Sequence, residues 1–97
     1  MRVRPYIAVY ILTNRPRGTL YTGVTSDLPR RVRQHREGEI PGFSKTYDLK
    51  RLVYIERFSS IAEAIHREKV LKHYPRQWKC NLIERENPQW DDLYYFD

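Results

Sequence analysis

The sequence of 97 residues lacks the features of membrane-spanning and disulfide-stabilised proteins. Its longest apolar run, Tyr6 to Leu12, is far too short to cross a bilayer. The single cysteine, Cys80, cannot form an internal disulfide and has no second cysteine with which to bind a metal, which favours a reducing, cytoplasmic setting. No cleavable small-residue site follows the apolar run, so no secretory signal is predicted.

Acidic residues are scarce over most of the chain. Residues 1–81 hold seventeen Lys or Arg against seven Asp or Glu, whereas residues 82–97 hold one Arg against five acidic residues. A net charge of +6 with this distribution favours a polyanionic partner, most simply nucleic acid, because binding releases condensed counterions. Charge alone does not separate DNA from RNA or from an acidic membrane surface.

The apolar content of 40% is sufficient for one folded domain over residues 1–97. Apolar runs rich in β-branched and aromatic residues predict strands at 6–12, 19–24 and 49–58. Helical periodicity and capping residues predict helices from 28 to 36 or 37, from 60 to 73 and from 75 to 86. The chain is therefore predicted to be α/β, with a small three-stranded antiparallel sheet flanked by helices.

Five residues of the first hairpin and the first helix are predicted to converge. Strand alternation allows Tyr10 to lie beside Tyr21 and Gly23, where the glycine leaves room for a ligand to approach the backbone. Arg31 and His35 fall on the inward stripe of the helix, where a solvated charge is not normally placed. Singly, a strand tyrosine is usually packing and an arginine usually snorkels, but their convergence favours a functional site.

The second predicted helix places one carboxylate on its inward face. The spacing of the helix predicts an inward stripe that consists of Ile61, Ala64, Ile65, Glu68 and Leu71. A carboxylate there needs a cation, since burying an unpaired charge is costly. Arg31, a lysine or a metal ion could supply it, and the pattern alone leaves a structural salt bridge and a metal site open.

Short motifs in these segments resemble the GIY-YIG nuclease family. Ala8-Val9-Tyr10 stands where Gly-Ile-Tyr is typical, and Tyr21-Thr22-Gly23 stands where Tyr-Ile-Gly is typical. Arg31 follows ten residues after Tyr21, as in the family. The helix segment 66–72 and the tail 87–93 extend the resemblance over nearly the whole chain, towards small stand-alone bacterial members.

The resemblance implies a metal-dependent DNA endonuclease with a GIY-YIG endonuclease-like fold. It implies that Glu68 is the sole direct protein ligand to Mg²⁺, with Mn²⁺ as an alternative, and that Arg31 pairs with a phosphate oxygen. Tyr21 would be the general base and Tyr10 would orient water or substrate; His35 is a rival base because its ordinary pKa suits neutral pH. The expected cut leaves a 3′-hydroxyl and a 5′-phosphate.

The implied partner is double-stranded or branched DNA, in repair, recombination or processing, with neither a membrane nor a small-molecule cofactor. Gly23, Arg30, Lys45 and Asn81 are the candidates for substrate binding. Arg30 shares an outward basic stripe with Arg33 and Arg36, which could track phosphates, and Lys45 lies in the predicted loop 37–48. Asn81 follows Glu68 by thirteen residues, and a packed polar residue is its alternative reading.

Two other functions fit the same sequence. The altered first triplet and the absence of an added DNA-reading domain suit a nucleic-acid-binding module with the nuclease fold and little or no cleavage. A small interaction protein, docking its basic face on a larger assembly, would also account for the charge.

Overall fold

A computed structural model describes residues 5–39, 42 and 47–94 of the chain. Its strands are β1 (Ile7–Thr13), β2 (Leu20–Thr25) and β3 (Arg51–Phe58). Its helices are α1 (Leu28–Arg36), α2 (Ile61–Lys72) and α3 (Arg76–Glu86). The predicted elements are all present, with ends that differ by one or two residues.

The sheet is antiparallel throughout and has the order β2-β1-β3. The predicted α/β fold with a three-stranded antiparallel sheet is therefore confirmed. Central β1 is buried on both faces: one cluster contains Ala8 and Tyr10 with residues of α1, and the other contains Val9 and Ile11 with residues of α2 and α3. No helix in the described ranges has the length and apolar character needed to cross a membrane.

The faces of β3 depart from simple strand alternation. Simple alternation placed Leu52 with Tyr54, and Val53 with Ile55. Instead, Ile11 pairs with Tyr54 while Leu12 pairs with Leu52, so Val53 is the extra residue of a β-bulge. Val53 and Tyr54 consequently both pack with the α2–α3 cluster, whereas Leu52 packs with the α1 cluster.

The buried face of α2 is narrower than predicted. Ala64, Glu68 and Leu71 are buried, but Ile61 and Ile65 are 42% and 39% exposed, so their expected place in the core is wrong. The apolar spacing does not distinguish the centre of a helix face from its edge, and α2 packs on the sheet through the smaller Ala64. Ser60 caps the helix as predicted, because its side chain accepts a hydrogen bond from the Glu63 amide.

The segment after α3 closes the free side of β3. Asn87 ends the helix, as predicted, and its buried side chain donates to the carbonyls of Val53 and Asp91. The Leu93 amide donates to the Leu52 carbonyl at 2.7 Å. Asp92 accepts a hydrogen bond from the Leu52 amide.

Arg36 is held by this same segment. Its guanidinium forms an ion pair with Asp92 and lies over the ring of Tyr94, at 4.6 Å from the ring centroid. Arg36 is therefore a tether between α1 and the tail, and the predicted outward basic stripe is reduced to Arg30 and Arg33, which are both exposed.

Candidate active site

Tyr10 and Gly23 form the floor of the candidate site. They are directly opposed in the β1–β2 ladder. A Cβ atom added at Gly23 would lie 2.5 Å from both the Cζ and the hydroxyl oxygen of Tyr10, so the phenol crosses the glycine backbone. The room that Gly23 leaves, which was expected to admit a ligand, is filled by Tyr10; a role of Gly23 in substrate binding stays a prediction.

Three aromatic rings from three elements meet here, and the Tyr10 ring of the floor is one of them. Tyr10 of β1, Tyr21 of β2 and His35 of α1 have ring centroids separated by 5.5 to 6.3 Å. A hydrogen bond of 3.1 Å joins the Tyr10 hydroxyl to His35 Nε2. Tyr10 and His35 are buried and Tyr21 is half-buried. The predicted convergence of these residues is thus observed, and Tyr21 is the phenol that retains an exposed surface.

Burial sets the protonation of Tyr10 and His35. Burial and, less strongly, the nearby Arg31 guanidinium together lower the pKa of His35 to about 4. Burial, the neighbouring Tyr21 and, less strongly, the Glu68 carboxylate raise the pKa of Tyr10, although Arg31 opposes them. At neutral pH the imidazole is therefore neutral and the Tyr10 phenol keeps its proton.

Glu68 reaches the same region from α2, on the opposite face of the sheet. Its residue is 9% exposed, and its carboxylate is close enough to Tyr10 to influence the pKa of that phenol. The carboxylate forms an ion pair of 2.7 Å with Lys72, one helical turn further along. A lysine, one of the cations that the sequence allowed, is thus a partner of Glu68, and the metal-binding role of Glu68 stays a prediction. The Glu–Lys spacing of four residues is the signal that would have identified this lysine.

The single carboxylate of Glu68 suits a hard divalent cation whose other ligands are phosphate oxygens of the substrate and water. Within the described ranges, no group of three or more His, Cys, Asp or Glu residues could hold a metal ion. A lone buried carboxylate fits Mg²⁺, which is commonly bound by one or two carboxylates together with phosphate oxygens and water. Glu68 can serve as that ligand once Lys72 leaves the carboxylate.

Arg30 and Arg31 share a polar cleft at the start of α1. The cleft has a volume of about 260 Å³ and is lined by Thr25, Ser26, Asp27, Arg30, Arg31 and Gln34. Asp27 caps the helix by accepting a hydrogen bond from the Arg30 amide, so its carboxylate is oriented towards the backbone. The two arginines thus border one cleft, with Arg31 within electrostatic reach of His35 and Arg30 exposed.

Two predicted substrate-binding residues are not brought into this group. Asn81 is exposed and its side-chain oxygen accepts a hydrogen bond from Gln77, so it is not the packed polar residue that was considered. It lines a separate groove of about 440 Å³ with Arg67, Tyr74, Trp78, Leu82 and Arg85. Lys45 lies outside the described residues. Their roles in substrate binding stay predictions.

The geometry agrees with comparisons to known proteins. The family model of the GIY-YIG catalytic domain matches residues 6–81, which include every residue of the aromatic cluster together with Arg31 and Glu68. The chain belongs to the GIY-YIG family. The altered triplets Ala8-Val9-Tyr10 and Tyr21-Thr22-Gly23 are accordingly this member's forms of the two motifs that name the family.

Several proteins named UPF0213 are similar to this chain. The chain is 41% identical over 66 residues to a UPF0213 protein of Staphylococcus haemolyticus, covering 68% of this chain and 80% of that protein. It is 39% identical over 66 residues to a UPF0213 protein of Haloquadratum walsbyi, covering 68% and 74%. The solution structure of a UPF0213 protein from Bacillus halodurans superposes with a TM-score of 0.56 at 30% identity, covering 94% of this chain and 96% of that one.

The Bacillus halodurans structure supports the fold of this GIY-YIG protein. The shared name of the relatives, UPF0213, assigns no activity. The GIY-YIG domain itself indicates a nuclease and hence a nucleic-acid substrate.

Proposed function

We propose that this protein is a metal-dependent DNA endonuclease that hydrolyses phosphodiester bonds. The observation that carries the proposal is the meeting of Tyr10, Tyr21 and His35 from three different elements, within electrostatic reach of Glu68 and Arg31. Perturbed ionisable groups that converge from separate elements are typical of catalytic sites. Double-stranded or branched DNA is the proposed substrate, and DNA repair, recombination or processing in the cytoplasm is the proposed setting.

The protein's own groups suit different parts of the reaction. Arg31 would pair with a phosphate oxygen as negative charge develops in the transition state. Tyr21 would accept the proton of the attacking water. His35 is the weaker candidate for this step, because its Nε2 is engaged by Tyr10 and its pKa is lowered to about 4. Tyr10, which keeps its proton, would orient His35 and Tyr21.

Glu68 would hold the divalent ion, Mg²⁺ or Mn²⁺. Such an ion, when bound, neutralises charge on the phosphate and stabilises the leaving oxygen. The small exposed fraction of Glu68 supports this role, since a buried carboxylate is deprived of water and depends on a cation.

Cleavage of supercoiled plasmid and of branched DNA in Mg²⁺ tests the proposal. Glu68→Gln should abolish cutting while DNA binding without a divalent ion is retained. Glu63→Gln is the matched control, because Glu63 is exposed on the same helix and the capping bond uses its backbone amide. Equal cutting by Glu68→Gln and by the wild type would refute the role of Glu68.

A nucleic-acid-binding module with little cleavage is the second candidate. It is favoured by the Lys72 ion pair, which neutralises the carboxylate that a metal ion would need. Salt-sensitive DNA binding by the wild type, without any cutting in Mg²⁺ or Mn²⁺, would select this alternative.

A further inference from the structure

Three cations lie together where α2 passes into α3. Lys72 is the last residue of α2, Arg76 is the first residue of α3, and Lys79 follows Arg76 by one helical turn. Partial burial and the nearby positive charges of Lys72 and Arg76 lower the pKa of the Lys79 ammonium group. Like charges gathered in this way repel one another, which a bound anion would relieve. These three residues are called the corner cluster below.

The corner cluster has little acidic compensation. Over the described part of the chain, its one ion pair is that between Lys72 and Glu68, and neither Arg76 nor Lys79 forms any. The nearest turn, between β1 and β2, also contains Arg17, but Arg17 is paired with Glu84 at 2.7 Å. Two cations of the cluster therefore remain available to an external anion.

Arg76 fixes the cluster beside the candidate active site. Its guanidinium donates two hydrogen bonds of 2.7 Å, to the carbonyls of Arg17 and Gly18 in the turn that leads into β2. Tyr21 follows that turn by three residues, and Glu68 lies one helical turn before Lys72. The cluster is thus attached to both elements that supply these two residues of the site.

We propose that Lys72, Arg76 and Lys79 bind a backbone phosphate of the nucleic acid, and that Lys72 moves from Glu68 to this phosphate when the nucleic acid binds. The proposal rests on the proposed nucleic-acid substrate. It assigns Lys72 two successive partners: the Glu68 carboxylate in the free protein and a phosphate in the complex. The transfer leaves Glu68 available to a divalent ion only when substrate is present.

Salt-dependent binding tests the phosphate site. Fluorescence anisotropy of a labelled DNA duplex, with EDTA and a range of NaCl concentrations, gives the slope of log K against log salt. Each lost phosphate contact reduces that slope by about one. We expect this reduction for Lys79→Gln and for Lys72→Gln. Arg76→Gln is left out, because it would also release the β1–β2 turn.

Lys50→Gln is the control for net charge. Lys50 is exposed and lies at 3.3 Å from Asp48, so its loss changes the net charge equally and leaves the corner cluster intact. Its slope should match that of the wild type. Equal slopes for Lys50→Gln and Lys79→Gln would overturn the phosphate site.

A double-mutant cycle tests the movement of Lys72. Glu68→Gln releases Lys72, so it should tighten DNA binding several-fold more than Glu63→Gln, which adds the same charge on the same helix. The additional gain should disappear when Lys72→Gln is also present. Identical binding by Glu68→Gln and Glu63→Gln would refute the exchange.

The outcomes separate this inference from the nuclease proposal, because every binding measurement is made without a divalent ion. Suppose that the slopes of the Lys72→Gln and Lys79→Gln variants are reduced while the wild type never cuts DNA. That result would support the phosphate site and refute the nuclease. Cutting by the wild type, together with variant slopes equal to the wild-type slope, would support the nuclease and refute the phosphate site. A lack of DNA binding at low salt would overturn both.

Discussion

Replacement of Gly23 by alanine should disturb the aromatic cluster without touching any charged group. The added Cβ would lie 2.5 Å from the Cζ and hydroxyl oxygen of Tyr10, whereas carbon atoms prefer about 3.5–4.0 Å. Tyr10 is 1% exposed, so its ring must move by about 1 Å inside a packed core. Its hydrogen bond to His35 would be stretched or lost.

The free energy of unfolding should fall by about 1–4 kcal/mol. Overpacking typically costs about 1–3 kcal/mol, and the loss of one hydrogen bond adds about 0.5–1.5 kcal/mol. Alanine regains about 0.5–1 kcal/mol, because glycine in a strand loses more backbone entropy on folding. For a chain of this size, each kcal/mol lowers the Tm by about 4–8 °C.

Urea unfolding of Gly23→Ala measures this loss, and Tyr10→Leu provides the matched background. With the phenol removed, the new methyl group meets no ring, so the double variant should be more stable than the sum of the two single losses predicts. Additive losses, or a Gly23→Ala variant as stable as the wild type, would show that the Tyr10 phenol does not occupy the space above Gly23.

Three further predictions concern stability. His35 has a folded pKa of about 4, below its ordinary value near 6.5, so stability should be lost as pH falls from about 6.5 to 4, by up to about 3 kcal/mol. The stability of His35→Asn, measured by urea unfolding, should therefore depend less on pH in this window than that of the wild type. The control is His66→Asn, in which an exposed histidine is replaced and the pH profile should not become flatter. Asn87→Ala should lower the free energy of unfolding by about 1–3 kcal/mol, because the carbonyls of Val53 and Asp91 lose their side-chain donor. Urea unfolding followed by tryptophan fluorescence measures this loss, and a value below about 0.5 kcal/mol would contradict it. Leu71→Ala should cost about 2–5 kcal/mol and Ile65→Ala less than about 1 kcal/mol by thermal unfolding, since Leu71 is buried and Ile65 lies at the exposed edge of α2; similar losses would contradict the observed face of that helix.

Local patterns were sufficient for the elements and for the aromatic cluster. Strand alternation allowed Tyr10 and Tyr21 to share one face, because side chains alternate at every residue, and helical spacing put His35 on the inward face of its helix. Ser60 and Asp27 cap their helices through bonds to amides three residues away. These rules act over short separations in sequence, so the sequence alone could supply them.

The sequence by itself determined the family motifs, the excess of positive charge and the residues that meet at Tyr10. The tertiary structure decided how those residues are used. It filled the space above Gly23 with the Tyr10 phenol and tied Arg36 to the tail. Those outcomes depend on which surfaces of distant elements come into contact. The register of a bulged strand and the rotation of a helix on a sheet are set by packing across the whole core, which no local spacing encodes.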